Sequence, residues 1–475
     1  MKYHSTRGGI AGVSFKDVVL SGYASDKGMF MPETFPQVSV ETLKTWARLS
    51  YVELAYEICS LYISDKDIPS SDLKGILEKS FSTFSIPEVV HIAELSEGLN
   101  VAELYHGRSL AFKDLAMSCM GNFYNYFLSK SRQHMTLLVC TSGDTGSSAI
   151  EAVRGFEFVD IIVILPRGRC TEIQERQMTT VLDKNVHVYR ADGTSDDIDV
   201  TVRELFDDPT YVKKHHLASP SSLNFGRIVI QIVHFFYTYL KLCPEVDKEV
   251  EVIIPTGAGG NVTAGLISRT MGLPVRFVCA VNHNNVLSRM METGKCELGP
   301  LQMTLAPAMD IQFGYNLERI WHMCSNGDSD TIKKVMSQVD QNEVSIPLSI
   351  LNVMKSVIKV YVVSGDEEIK KTIKRCWTEN KYNICPHTAI GVSYWYSQHD
   401  SRLTDGVPSV VLATASPLKF PEAIKASDVP APTSDNIQNL FSAPTRYIDL
   451  ELGQNWTEII KINIENITST LKHVV

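Results

Sequence analysis

The chain has 475 residues, of which 44% are hydrophobic and 21% are charged, and it carries a formal net charge of −9. This acidic balance disfavours nucleic acids and acidic membrane surfaces as partners, because proteins bind both through basic patches. The N-terminus lacks the apolar core of a signal peptide, and no stretch reaches the roughly 18 uncharged apolar residues of a membrane span. We therefore expect a cytoplasmic or organellar protein with no membrane partner.

The predicted elements change character along the chain. Residues 1–95 carry apolar residues at helical spacing, as in VETLKTWARLSYVELAYEICSLYI (40–63), and are expected to be mostly helical. From there on, β-branched runs are followed by glycine-bearing turns and amphipathic stretches. The predicted strands are 134–140, 159–165, 185–191, 249–255, 274–282, 359–364 and 408–414. Repeated strand–turn–helix units predict an α/β fold with mostly parallel sheets covered by helices.

Lys113 is the first notable residue in chain order. It lies in the octapeptide SLAFKDLA (109–116), beside Asp114 and among apolar residues. One interpretation is a solvated charge paired with Asp114, which is the common fate of lysines. The other is an amine held in an apolar pocket, where burial lowers its pKa and makes it a nucleophile.

The turn TSGDTGS (141–147) follows a predicted strand and starts a predicted helix. Its hydroxyls and backbone amides suit a carboxylate or another small anion. The alternative is a helix start capped by Asp144 or Thr145 with no ligand.

Asn224 and Arg227 share one helix face at i, i+3 in SSLNFGRIVIQIVHFF (221–236). Arginine is the preferred bidentate binder of phosphate, and asparagine adds an amide donor. An ordinary surface arginine at a helix start is the alternative.

The turn PTGAGGN (255–261) has the same strand-to-helix placement. Gly257, Gly259 and Gly260 allow a sharp turn whose N–H groups, with the positive end of the next helix, form a phosphate cup. Val262 stands where a dinucleotide fingerprint needs glycine, and no G-K-[ST] follows, so neither nucleotide motif fits. A glycine-rich connection shaped only by packing is the alternative.

Thr414 and Ser416 follow the last predicted strand directly, where a hydroxyl can hydrogen-bond a heterocycle or simply form a turn. The ten cysteines form no C-x-x-C pair and no zinc-like spacing exists, so we expect reduced buried thiols and no metal. A phosphate cup, a second anion-binding turn, an Arg/Asn pair and an apolar amine are together what pyridoxal phosphate uses.

Seven motifs, in order, resemble the threonine synthase family of pyridoxal-phosphate enzymes, most closely its vertebrate threonine synthase-like branch. They are SGYASDKGMFMPE, HGRSLAFKDLAMSCMGN, TSGDTGSSA, LNFGRI, PTGAGGN, PAMDI and TASPLKF. The resemblance covers nearly the whole chain and implies pyridoxal-phosphate fold type II, with two open twisted sheets and a helical N-terminal domain. The implied units are an N-terminal domain 1–95, a smaller lobe 96–215, a larger lobe 216–430 and a C-terminal segment 431–475.

The resemblance also implies roles for individual residues. Lys113 forms the Schiff base with pyridoxal 5′-phosphate. The other cofactor-binding residues are Gly257, Ala258, Gly259, Gly260, Asn261, Thr414 and Asp144, with Thr414 facing the pyridine nitrogen. The substrate residues are Thr141, Ser142, Gly143, Thr145, Asn224 and Arg227.

Three segments depart from the family pattern. Threonine synthases usually carry S-G-N-F-G-D where this chain has T-G-A-G-G-N (256–261), T-A-H-P where it has T-A-S-P (414–417), and G-P-T-L where it has G-R-S-L (107–110). These changes keep Lys113, the glycine cup and the Thr414 hydroxyl. They alter residues of the implied active site that would position the water molecule whose addition makes threonine.

We therefore expect a phospho-lyase with Lys113 as general base. A small phosphorylated amino acid, O-phosphohomoserine or O-phosphothreonine, would be converted to 2-oxobutyrate, ammonia and phosphate. The alternatives are a true threonine synthase, a related dehydratase or cystathionine synthase, a catalytically idle cofactor-binding or signalling protein, and a nucleotide-binding α/β protein. An oligomer is possible.

Overall fold

The computed structural model describes residues 1–141, 143–193, 195–339, 344–401 and 406–471. Its strands are β1 Tyr3–Ser5, β2 Phe30–Pro32, β3 His91–Glu94, β4 Asn100–Glu103, β5 Met135–Cys140, β6 Val159–Pro166, β7 Val186–Ala191, β8 Leu217–Ala218, β9 Val250–Pro255, β10 Val275–Val281, β11 Lys295–Cys296, β12 Val344–Ser345, β13 Ile358–Val362, β14 Ser409–Ala413 and β15 Ile448–Leu450.

The helices surround these strands. They are α1 Phe15–Ser21, α2 Val40–Trp46, α3 Tyr51–Tyr62, α4 Ser70–Phe81, α5 Lys113–Ser131, α6 Asp144–Val153, α7 Glu172–Thr179, α8 Ser195–Phe206, α9 Pro209–His215, α10 Phe225–Leu242, α11 Gly260–Thr270, α12 Val286–Thr293, α13 Leu317–Cys324, α14 Ser329–Val339, α15 Leu348–Val357, α16 Asp366–Asn380, α17 Pro386–Asp400, α18 Pro421–Lys425, α19 Asp435–Ser442 and α20 Trp456–Leu471. None of the helices in these ranges is long and apolar enough to cross a membrane.

Two sheets form the body of the molecule. The larger has the strand order β13-β10-β9-β14-β4-β3, parallel except for β3, and the smaller has the order β15-β7-β6-β5-β8, parallel throughout. Strands such as β6 are buried along nearly their whole length because helices cover both faces. The runs of valine and isoleucine that predicted strands therefore reflect burial on both faces.

The sheets do not follow the order of the chain. Strand β4 (Asn100–Glu103) joins the larger sheet, although the sequence suggested a smaller lobe for 96–215. Strands β8 and β15 join the smaller sheet, so residues 431–471 are built onto that lobe. Helix α20 packs on α8 through Trp456, Ile460 and Ile464. Each lobe is therefore assembled from segments far apart in sequence.

The N-terminal domain packs on the body through aromatic residues. The hydroxyl of Tyr3 donates to the carbonyl of Tyr62 at 2.8 Å, and Tyr3 also lies against Phe225 of α10. The predicted helical stretch 40–63 is two helices, because Ser50 starts α3 with a capping box that uses Glu53. The domain is thus anchored to α10, a buried helix.

Helix α10 is the central element. Every residue from 225 to 240 is buried, and the helix packs against α3, α5 and α11. At the carboxyl end of β14 the chain meets the segment before α5: the Phe112 amide donates to the Thr414 carbonyl at 2.8 Å, and Ala111 pairs with Ala415. This contact brings the octapeptide 109–116 to the end of the larger sheet.

Candidate active site

A cavity of about 260 Å³ lies at the carboxyl ends of strands from both sheets. This is where open α/β sheets bind ligands. The predicted site residues on its wall are Lys113, Asp144, Thr145, Arg227, Gly257, Ala258, Gly259, Gly260, Asn261 and Thr414. Residues separated by some three hundred positions therefore meet in one place.

A larger, open depression of about 560 Å³ lies at the other end of the larger sheet. Glu251, Arg276 and Ser409, from the starts of β9, β10 and β14, contribute to it. None of the predicted site residues lines it. Its position at the amino ends of the strands makes it a poor candidate for the catalytic centre.

Lys113 is the first residue of α5 and extends into the cavity. Its side chain is 16% exposed, and burial lowers the pKa of its amine to about 8 although the Asp144 carboxylate opposes the shift. Its Nζ lies 3.8 Å from Oδ2 of Asp144. The structure therefore places a partly neutral amine in an enclosed pocket, as the second interpretation of the octapeptide requires.

Asp114, the neighbour in sequence, faces elsewhere. Its carboxylate accepts from the Ser109 amide at 2.8 Å and from the Ser109 hydroxyl at 2.6 Å, and that hydroxyl lies 2.7 Å from the hydroxyl of Ser148. Burial raises the pKa of Asp114. Within the described ranges the only ion pair of Lys113 is with Asp144, not with Asp114.

Asp144 is held by two residues that the sequence did not single out. Lys419 Nζ lies 2.8 Å from its Oδ1, and the Gln174 amide donates to the same oxygen at 2.8 Å. Burial alone would raise the pKa of Asp144, but the charges of Lys419 and Lys113 lower it well below its usual range. Asp144 is therefore ionised at neutral pH and lies beside the Lys113 amine.

His387 is a third such residue. Its Nε2 accepts from the Ala308 amide at 3.1 Å, and burial lowers the pKa of its ring to about 4. The ring is therefore neutral and holds the 307–309 turn against the cavity. The only signal in sequence was a histidine one residue after Pro386, at the start of an apolar helix.

The glycine cup lies at the N-terminus of α11. Gly259 has φ +78°, which favours glycine, and a Cβ on Gly257 would lie 2.9 Å from the Ala308 carbonyl. The first N–H groups of α11 lack helical partners and lie at the cup, where a phosphate is stabilised. Among the described residues the buried Nδ2 of Asn261 has no hydrogen-bond partner, so a donor is left for a ligand. The cup therefore fits a phosphate group.

Thr414 lies at the end of β14, is 8% exposed and lines the cavity. Its carbonyl accepts from the Phe112 amide, and its hydroxyl makes no hydrogen bond among the described residues, so the hydroxyl is available to a ligand. Ser416, two residues on, is turned away: its hydroxyl accepts from the Leu418 amide at 3.3 Å. Of the two hydroxyls noted in sequence, only that of Thr414 is on the wall.

The turn 141–147 contributes fewer residues to the wall of the cavity than its sequence suggested. The Thr141 hydroxyl accepts from the amides of Gly143 and Gly146 at 3.0 and 2.9 Å, so it caps α6 from within. Gly143 has φ +135°, and a Cβ there would lie 2.5 Å from Gln174. Ser142 lies outside the described residues. Neither Thr141 nor Gly143 lines the cavity, and their contact with substrate stays a prediction.

Asn224 and Arg227 separate into two roles. Asn224 caps α10: its Oδ1 accepts from Gly226 at 3.0 Å, and its Nδ2 donates to the Val19 carbonyl at 2.8 Å. Arg227 lines the cavity, is 3% exposed and donates to the Pro220 carbonyl at 3.3 Å. Burial lowers the pKa of its guanidinium to about 10. Among the described residues it has no carboxylate partner. Arg227 is therefore not the ordinary surface arginine that was the alternative interpretation of the sequence.

Two of the three departures from the family pattern lie away from the cavity. Arg108 is 54% exposed in its side chain and approaches Glu151, and Ser109 is bonded to Asp114. Ser416 caps the turn that follows it. The glycine loop 257–261 is the departure that forms part of the wall.

The chain matches three family models along its length: "Threonine synthase N terminus" over residues 2–81, "Pyridoxal-phosphate dependent enzyme" over 88–414 and "Threonine synthase, C-terminal" over 388–462. It is 46% identical to Threonine synthase-like 2 of Xenopus laevis, covering 98% of this chain and 99% of the relative. It is 36% identical to a threonine synthase of Schizosaccharomyces pombe, covering 89% and 88%. The solved structure of PLP-bound threonine synthase from Brucella melitensis superposes with a TM-score of 0.91 at 32% identity, covering 98% and 99%.

Proposed function

Because this chain belongs to the threonine synthase family of pyridoxal-phosphate enzymes, we propose that it is a phospho-lyase acting on O-phosphohomoserine or O-phosphothreonine. Substrate and water would give 2-oxobutyrate, ammonia and phosphate. The family resemblance, the pyridoxal phosphate cofactor and fold type II, all predicted from sequence, are confirmed by the comparisons.

The residues of the cavity fit this cofactor. The cup 257–261 would hold its phosphate, Lys113 would bond to its aldehyde, and the hydroxyl of Thr414 would face its ring. When bound, the cofactor supplies an electron sink that makes the substrate Cα proton removable. A hydroxyl, unlike a carboxylate, leaves the ring nitrogen largely uncharged, which suits elimination.

Arg227 is the observation that carries the choice of a phosphorylated substrate. A guanidinium that is 3% exposed and has no carboxylate partner among the described residues is costly unless an anion neutralises it. Its planar fork matches a phosphate. Because the cup already accounts for the phosphate of the cofactor, Arg227 is left for a second one.

Lys113 is the candidate base. Once released from the cofactor, its amine has a depressed pKa and can accept the Cα proton. The Asp144 carboxylate, 3.8 Å away, would stabilise the ammonium that forms. For a γ-phosphate, the same amine would move a second proton, from Cβ.

The glycine loop supports elimination over hydration. Where threonine synthases usually carry asparagine and phenylalanine, the wall has Ala258 and Gly259, which offer no side-chain polar group to orient a water. The nearby wall residues Met309 and Ile311 are apolar. Such a wall favours release of the eliminated product before water adds to it.

True threonine synthase activity is the second candidate. It is supported by the relative from Schizosaccharomyces pombe, which is a threonine synthase. In that case O-phosphohomoserine and water would give threonine and phosphate.

Product analysis separates the two. The holoenzyme is incubated with each phosphorylated amino acid, and phosphate, 2-oxobutyrate and threonine are measured together. Equal amounts of phosphate and 2-oxobutyrate are expected, with threonine at trace level. Threonine as the main product would overturn the phospho-lyase, and no phosphate from either substrate would support an idle protein. Lys113→Ala is the control, because it should abolish turnover and the visible absorbance of the bound cofactor.

A further inference from the structure

Helix α10 carries a polar row on a face that is otherwise apolar. Arg227, Gln231 and His234 follow one another at i, i+4 and i+7, so they share one face. The first two line the cavity, and His234 lies behind the cup. Polar side chains inside a wholly buried helix are retained where they have a partner or a task.

Within the described ranges His234 has one hydrogen-bond partner. Its Nε2 lies 2.9 Å from Oδ1 of Asn261, the last residue of the cup. His234 is fully buried and Asn261 is 8% exposed. Burial lowers the pKa of the histidine ring to about 4, so it carries a single proton at neutral pH.

That single proton can be on either ring nitrogen, and each position goes with one orientation of the amide. An amide oxygen can only accept, so the proton must be on Nε2 for the contact to be a hydrogen bond. With the amide reversed, the ring would have to accept at Nε2 and carry its proton on Nδ1, which has no partner among the described residues. Each orientation leaves one buried N–H group without a protein partner: Nδ2 of Asn261 in the observed one and Nδ1 of His234 in the reversed one. A phosphate in the cup would accept from the amide nitrogen and would be repelled by an amide oxygen, so a bound phosphate favours the observed orientation.

We propose that His234 is a positioning residue for the cofactor phosphate. It acts through Asn261, by holding the amide oxygen so that the amide nitrogen is the group offered to the phosphate. This role rests on the cofactor site and is independent of the product of the reaction. Neither the sequence motifs nor the resemblance assigned any role to His234.

The pair also accounts for one departure from the family pattern. Threonine synthases usually carry aspartate where this chain has Asn261. A carboxylate could accept from His234 but would present oxygen, not N–H, with its second atom. The His234–Asn261 pair therefore adds a donor to a cup that otherwise depends on backbone amides and the end of α11.

The test compares two ligands on the apoenzyme. Pyridoxal phosphate and pyridoxal differ only in the phosphate, and binding of each is titrated by visible absorbance. His234→Phe, which keeps the shape but removes the donor, should weaken pyridoxal phosphate about tenfold, the effect of losing one orienting hydrogen bond, and leave pyridoxal unchanged. His234→Gln, whose amide can replace Nε2–H, should recover most of the loss. Thr238→Val, on the same buried helix and one turn further, should leave both unchanged.

A double-mutant cycle tests the route through Asn261. In an Asn261→Ala background, His234→Phe should no longer weaken binding of pyridoxal phosphate, because the group it positions is gone. The ³¹P resonance of the bound cofactor should shift in His234→Phe and return in His234→Gln. Equal loss of both ligands, or the same loss in the Asn261→Ala background, would overturn the proposal and indicate that His234 only packs the helix.

Discussion

The Nζ of Lys419 lies 2.8 Å from Oδ1 of Asp144, and Lys419 is fully shielded from solvent. The same Nζ donates to the carbonyl of Ser109, in the segment that precedes Lys113, at 2.7 Å. Lys419 is thus a second buried lysine, and it holds the Asp144 carboxylate that faces the reactive amine of Lys113. If Lys419 is removed, Lys113 is the remaining cation that balances the charge of Asp144.

Lys419→Met is expected to destabilise the protein by about 1–3 kcal/mol, because Asp144 loses its nearest cation but keeps Lys113 as a partner. The free energy of unfolding in urea measures this. The matched control is Lys419→Met combined with Asp144→Asn, which removes both charges and should recover part of the loss. A double variant no more stable than the single one would contradict the assignment of this pair.

The amine of Lys113 should titrate far below an ordinary lysine. Its pKa is lowered to about 8, so in the apoenzyme the neutral, reactive form should increase as pH rises through 8. Pulse labelling with an amine-specific reagent, read by mass spectrometry, gives the midpoint, with the exposed Lys44 as internal reference for the reagent. A midpoint near 10 would contradict a desolvated amine.

The same shift affects stability with a definite sign. Between pH 8 and the unfolded value of about 10.4, the unfolded state binds more protons at this lysine than the folded state. The contribution of Lys113 to folding stability should therefore increase as pH rises through this window. Comparing the wild type with Lys113→Met over this range isolates that contribution, and a flat difference would contradict it.

Arg227→Met should separate function from stability. The KM for a phosphorylated substrate should rise at least about 30-fold, because a buried charged contact is lost. The free energy of unfolding should not fall, since an uncompensated buried charge is removed. Arg227→Lys keeps the charge without the fork and should be intermediate. A fall in stability with unchanged KM would assign Arg227 to the core.

Gly257→Ala should weaken cofactor binding, because its Cβ would lie 2.9 Å from the Ala308 carbonyl and force the cup apart. The control is Gly75→Ala on the exposed side of α4, where a Cβ would meet no atom within 4 Å beyond its chain neighbours and the backbone of its own helix. That change should stabilise the protein by roughly 0.5–1 kcal/mol and leave binding unchanged. Equal binding by both variants would show that the loop relaxes freely.

Local pattern predicted those parts of the site that are continuous in sequence. Strand, turn and helix start occur together in 249–261, so the cup could be placed without knowledge of the fold. Thr141 and Asn224 show the limit of such reasoning. Residue types that bind anions at helix starts also cap helices, and only the structure distinguishes a hydroxyl that points inward from one bonded to its own turn.

Lys419, His387 and Gln174 could not be found by pattern. Each reaches the site through a different segment, and none stands in a spacing that has a chemical meaning on its own. Lys419 had the one usable signal, a lysine in the apolar run SPLKF (416–420), the same signal that singled out Lys113. The two lobes are not continuous in sequence for a related reason. Strands β4, β8 and β15 pair with strands that are distant in sequence, and such pairing depends on tertiary contacts.

The hydrogen bond from Asn224 to the Val19 carbonyl has a consequence for how the protein can be divided. Val19 belongs to the N-terminal domain, and Asn224 starts the helix that carries Arg227 and His234. Cutting away residues 1–81 would expose a buried amide at the foot of that helix and uncover the aromatic contact of Tyr3 with Phe225. The N-terminal domain thus stabilises the helix that forms one wall of the cavity. A shortened protein that contains only the two sheets and their helices would hold Arg227, where substrate phosphate would bind, less rigidly.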